Sequence, residues 1–277
     1  MPVNGTSNNT LSSPIIPREH GAWAVLFIPM LVAVLRTHVL SFSFIAFLFS
    51  SLGLFMTYDP AQQILKQLRA GHTHTIERKQ RAKLWFTIYA IGSILLFIPL
   101  LLGGYYWLLP LAGIGIIAFF LNYFITRIFG KTPISDLISI SGLSLSGLGA
   151  YYVLTGIIDR NGIMIWLLNL FFFGSNVFYV HIKIIAATIK TPMVYYRDKF
   201  LIGRYSIWYN LFILTLLGYF IWQRLVSALS ILPFIPISLH VCYGIMKMSP
   251  KVNFKNLGYL LVGQSILFGL ILGMLVP

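Results

Sequence analysis

Acidic side chains are scarce in this chain: six Asp and Glu stand against 20 Lys and Arg in 277 residues, and charged residues of both signs make up only 9 %. A water-soluble globular domain carries about a quarter charged residues, so that class is excluded. Cysteine is nearly absent too. Cys242, the single one, lies in an apolar run, which rules out an intramolecular disulfide and a cysteine-based metal cluster. There is no Gly-rich phosphate loop, serine nucleophile elbow or zinc motif. Residues 1–16 lack the basic start, apolar centre and small-residue cleavage site of a signal peptide. Their Asn, Ser, Thr, Gly and Pro content predicts a disordered tail instead.

What the chain has in abundance is apolar surface. Hydrophobic residues are 58 % of the sequence and its mean hydropathy is +0.84, so lipid is its main solvent. About 20 helical residues cross a hydrocarbon core of ~30 Å. Apolar runs near residues 22–35, 40–58, 84–102, 105–124, 134–155, 163–185, 206–222, 228–246 and 257–277 predict nine transmembrane helices. The first run is short and must begin near Pro17 or be sheltered by neighbours. Unpaired backbone groups are not tolerated against lipid, and the runs are too long and too evenly apolar for barrel strands. The expected fold is therefore an all-α polytopic membrane protein, with residues 17–277 forming one helical domain.

The basic residues test that count. With nine crossings and the N-terminus inside, 17 of the 20 Lys and Arg fall on the cytoplasmic side, leaving Arg36, Arg160 and Arg224 on the other. One helix more or fewer would scramble this parity. The C-terminus is accordingly expected outside. A net charge of +14 distributed through short gaps suits anionic lipid headgroups and not nucleic acid. Two gaps, 59–83 and 186–205, are longer and more basic than the rest, and are expected to be long cytoplasmic loops.

Three segments carry side chains able to do chemistry. Pro17-Arg18-Glu19-His20-Gly21-Ala22-Trp23 stands before the first span: Arg18 offers a planar fork for phosphate or carboxylate, Glu19 can exchange a proton, and His20 titrates near neutrality. The same residues also suit a helix start at a membrane surface. After the second span, a helix continuing past Pro60 would put Asp59, Gln62, Lys66 and Arg69 on one face, as a ligand-binding stripe or as an interfacial ion pair. The sixth span ends with Asn176, Tyr179 and Lys183 on one stripe and His181 pointing away from it. Those groups serve either as interhelical hydrogen-bonding groups or as ligand contacts. His72 and His74, two apart, do not share a helix face and predict no metal site. Small residues from Ser139 to Gly149, together with Gly269 and Gly273, predict close helix approach. His240 is expected to be an interhelical hydrogen-bonding group.

The Pro-Arg-Glu-His-Gly-Ala-Trp-Ala stretch at 17–24, followed by a first span containing Pro29, resembles the YwiC-like family of bacterial membrane proteins. This resemblance implies residence in the bacterial cytoplasmic membrane. More remotely, the layout is similar to the UbiA superfamily of intramembrane prenyltransferases, which implies a nine-helix bundle holding a prenyl diphosphate with magnesium between two acidic motifs. Carried onto this chain, the first motif falls on Tyr58-Asp59, Gln62 and Lys66, where only Asp59 is acidic. The second falls near Asn176, Tyr179 or Val180, and Lys183, where nothing is acidic. Magnesium requires oxygen ligands, usually carboxylates among them, so cations in their place argue for direct charge neutralisation without metal.

Three functional readings follow. The first is binding of an amphipathic isoprenoid- or quinone-like molecule in a UbiA-like bundle, its anionic head met by Arg18, Lys66, Arg69 and Lys183. The second is an intramembrane prenyltransferase-type enzyme using Glu19, His20, Asp59 or His181 as acid or base. The third is a small-solute transporter.

Overall fold

The computed structural model of the chain describes residues 13–17, 20–70, 76–189, 195–248 and 252–275. Every regular element among them is helical: α1 (His20–Thr37), α2 (Phe42–Met56), α3 (Tyr58–Ala70), α4 (Ile76–Leu102), α5 (Leu108–Phe129), α6 (Pro133–Thr155), α7 (Arg160–Thr188), α8 (Tyr196–Trp222), a 3-10 segment (Ala228–Phe234), α9 (Ile235–Met246) and α10 (Phe254–Leu275). Eight stretches among the described residues are long and apolar enough to cross a bilayer, and Gly21–Thr37 is an apolar helix of shorter length. The chain is a multi-pass membrane protein. Each of the nine apolar runs is helical, including the short first one.

The connectors depart from expectation. The region 59–83, anticipated as a loop, is largely helix, because α3 follows α2 after Thr57 and α4 begins at Ile76. Pro60 sits in the first turn of α3, where its missing N–H costs little. The 186–205 connector shrinks in the same way: α7 runs to Thr188 and α8 starts at Tyr196. Apolar spacing gauges only the lipid-facing stretch, whereas the hydrogen-bonded helix continues into the polar residues beyond it. His72 and His74 lie outside the described residues.

By its internal contacts the chain falls into two compact units. The first comprises residues 1–19 and 41–106. Here α2 and α4 approach closely at Gly53, where a side-chain carbon would lie 3.1 Å from Ser93 Cβ. Two reciprocal bonds lock that contact: Ser93 Oγ donates to the Ser50 carbonyl at 2.7 Å and Ser50 Oγ to the Ser93 carbonyl at 3.0 Å. The tail is described from Ser13, and its last residues run along α4. Arg81 Nε donates to the Ser13 carbonyl at 3.0 Å, the Tyr89 hydroxyl donates to the Ile15 carbonyl at 3.3 Å, and Ile15 is buried.

The second unit holds α1 and α5–α10, with α6 and α7 the most enclosed helices. The small residues of α6 do what their pattern predicts. A side-chain carbon at Gly142 would meet Ala118 Cβ at 2.8 Å, and one at Gly147 would meet Pro29 Cβ at 2.7 Å. Ser146 Oγ donates to the Leu26 carbonyl at 2.8 Å, in the turn before Pro29. Gly269 and Gly273 of α10 face Ile28 and Leu35 of α1 equally tightly. A Thr132–Ser135 capping box starts α6, and Gly156, at φ 78°, ends it in the left-handed region that glycine adopts without strain. Stacked Phe172 and Phe268, 3.9 Å between centroids, join α7 to α10.

Candidate functional site

The anticipated site residues separate by unit. Arg18 and Glu19 lie outside the described residues, His20 opens α1, and Arg69 is part of α3; the side chains of these last two are not described. In the first unit α3 is helical, as the Asp59/Gln62/Lys66/Arg69 stripe requires. Asp59 and Gln62 on that stripe are half-buried and Lys66 is exposed. Its packed face is a different one, carrying buried Pro60 and Gln67.

In the second unit the end of α7 gathers a defined polar cluster. Tyr179 is 2 % exposed, and its hydroxyl lies 3.0 Å from His240 Nε2 on α9. His240 Nδ1 in turn lies 3.0 Å from Gln264 Oε1 on α10. Because an amide oxygen only accepts, the network assigns a proton to Nδ1, and Nε2 shares the second hydrogen bond with the tyrosine hydroxyl. His240 is therefore the interhelical group its position in an apolar run predicts.

One turn beyond Tyr179, Lys183 Nζ donates to the Gly244 carbonyl at 3.0 Å and stands 5.2 Å from the Tyr179 ring centroid. Gly244 makes this approach possible. A side-chain carbon there would collide with the Tyr179 ring. From α8, Lys199 Nζ donates to the Met246 carbonyl at 3.1 Å. Lys247, just past α9, donates to the Tyr243 hydroxyl at 3.0 Å, and this hydrogen bond holds its ammonium pKa above the usual lysine value. Two ammonium groups, Lys183 and Lys199, thus reach carbonyls of the last turn of α9, and Lys247 directly follows that helix. The physical cause is plain: a helix end leaves its last carbonyls unpaired and carries partial negative charge. Each ammonium has three donors and spends one on these contacts. Among the described residues no carboxylate pairs with any of the three.

The remaining anticipated groups on α7 differ in surroundings. His181 is half-buried, and it points away from the Tyr179–Lys183 stripe as helical spacing requires. Asn176 is buried and its Oδ1 has no hydrogen-bond partner. Beside it Ser175 Oγ donates to Asn210 Oδ1 at 3.1 Å, linking α7 to α8. An amide, a phenol and an ammonium at Asn176, Tyr179 and Lys183 do not make a magnesium donor set. Sequence reasoning missed Gly244 as the partner of Lys183, and Lys199 and Lys247 as further cations at the end of α9. The available signal was the crowding of basic residues into the gaps after α7 and α9.

A family model described as YwiC-like protein matches residues 16–151. Over this stretch, just under half of the chain, the sequence is similar to the YwiC-like family. No curated protein and no solved structure matches the chain. The matched stretch contains Arg18, Glu19, His20, Asp59, Gln62, Lys66 and Arg69, together with α1–α5 and most of α6. The lysine cluster lies in the rest of the chain.

Proposed function

We propose that this protein resides in the bacterial cytoplasmic membrane and binds an amphipathic molecule with an anionic head, of isoprenoid- or quinone-like character, without magnesium. The observation that carries the reading is the gathering of Lys183, Lys199 and Lys247 at one helix end, with donors to spare and no carboxylate partner among the described residues. Lys183 is half-buried between α7 and α9, and a cation withdrawn from water in this way is stabilised by a fixed anion. The apolar helices beside it suit a hydrocarbon tail. In this proposal the bundle is UbiA-like in layout and the N-terminus is cytoplasmic.

Lipid mass spectrometry of the purified protein tests the proposal. Wild type is expected to retain an anionic isoprenoid- or quinone-like species in roughly stoichiometric amount, and Lys183→Met to lose most of it. Bulk phospholipid alone in the wild-type preparation would refute the binding proposal. Turnover of labelled prenyl diphosphate, abolished by Asp59→Asn, would establish the enzyme reading in its place.

A further inference from the structure

The second unit contains another cationic site, remote from the lysine cluster. A cavity of about 450 Å3 forms where the C-terminal ends of α1, α6 and α10 meet the first turn of α7. Asn161 lines it, and Lys183 is near the other end of the same helix. At 1.5 Å rise per residue the two positions are roughly 33 Å apart.

Arg36 is the one Lys or Arg among the residues lining this cavity, which also include His38, and it lines a neighbouring cavity of about 30 Å3 whose walls are largely apolar. Its Nη1 is buried with no hydrogen-bond partner. The dipole of α1 favours a cation in the last turn, which accounts for the charge but leaves that nitrogen unpaired. The nearby carboxylate is held by the start of α7 and by two residues of the cavity wall, Tyr151 and Asn161. Asp159 caps α7, accepting from the Gly162 N–H at 3.1 Å, the Tyr151 hydroxyl at 3.1 Å and the Asn161 amide at 3.4 Å. A guanidinium keeps its charge and offers five donors in a planar fork that matches two oxygens of one anion. Desolvating such a group without a partner is costly, and an oxyanion in the cavity removes that cost. Thr37 and Asn161 add polar groups to the same wall.

We propose that this cavity binds an anionic oxygen group, a phosphate or carboxylate, with Arg36 as its charge partner. The volume falls within the range of small-molecule sites, roughly 300–1,000 Å3. The anion comes either from a soluble molecule or from a lipid headgroup, and the inference stands independently of any ligand at Lys183.

The test uses the full-length protein in dodecyl maltoside, a detergent with no anionic group. Phenylglyoxal modification of Arg36 is followed by peptide mass spectrometry, with exposed Arg127 as internal control. Saturating inorganic phosphate or phosphatidylglycerol is expected to slow Arg36 modification by about tenfold and to leave Arg127 unchanged. Protection by phosphate identifies a soluble anion as the occupant; protection by phosphatidylglycerol alone identifies a headgroup. Protection by neither overturns the proposal, as does an Arg36 that fails to react without added anion. Arg36→Gln should abolish the thermal stabilisation that the protecting anion gives the wild type. A folded variant that keeps this stabilisation also overturns the site. If the variant does not fold, the protection experiment on the wild type decides alone.

Discussion

At Gly147 the chain has no room for a side chain, because Pro29 of α1 lies against it. Gly147→Leu is expected to lower stability by about 1–3 kcal/mol through overpacking. Thermal unfolding in detergent measures this, and a variant as stable as wild type would mean that the helices are not so close. The polar cluster separates into groups that hold structure and groups that hold charge. Tyr179→Phe removes the hydroxyl bonded to His240 Nε2 and should cost about 0.5–2 kcal/mol while leaving ligand retention largely intact. Lys183→Met should do the reverse, abolishing retention with a small change in melting temperature. Measuring both properties on both variants checks the division; parallel losses in the two would contradict it. These residue-scale features were legible to different degrees. The small residues of α6 and α10 follow from the close packing that helices need in lipid, and the bonding role of His240 from lipid's inability to satisfy polar groups. The Lys183–Gly244 contact was not legible, since it joins residues far apart in sequence through a backbone carbonyl that no side-chain pattern records.

Among the elements, α2 and α4 illustrate how two apolar helices find a register. Lipid supplies no hydrophobic drive between them, so close packing and the paired Ser50–Ser93 bonds do the work. Ser50→Ala and Ser93→Ala should each cost about 0.5–1.5 kcal/mol, and the double variant clearly less than the sum. A double-mutant cycle by reversible unfolding gives the coupling directly; strict additivity would show that the two hydroxyls do not act together. Sequence periodicity located every apolar helix but cut several of them short. It scored hydrophobicity, while α3, the start of α4 and the start of α8 are built from polar residues with good helix propensity. The connectors expected as loops were consequently read as longer than they are.

For the whole molecule, the alternation of crossings makes a geometric demand that the second unit meets by itself. The C-terminal ends of α1, α6 and α10 and the start of α7 line one cavity, as required if all four lie on one face. The lysine cluster gathers the ends of α7 and α9 and the first turn of α8. A protein threaded in this way carries two separate cationic sites: lysines at one membrane face, and Arg36 at the other.

Site-directed labelling tests this arrangement most directly. In a Cys242→Ser background, Tyr195→Cys before α8 and Ile157→Cys after α6 each put a thiol at an exposed position. A membrane-impermeant maleimide added to intact cells should modify position 157 and leave position 195 untouched until the cells are broken open. Labelling of both from the same side would contradict the threading on which the two-site account rests.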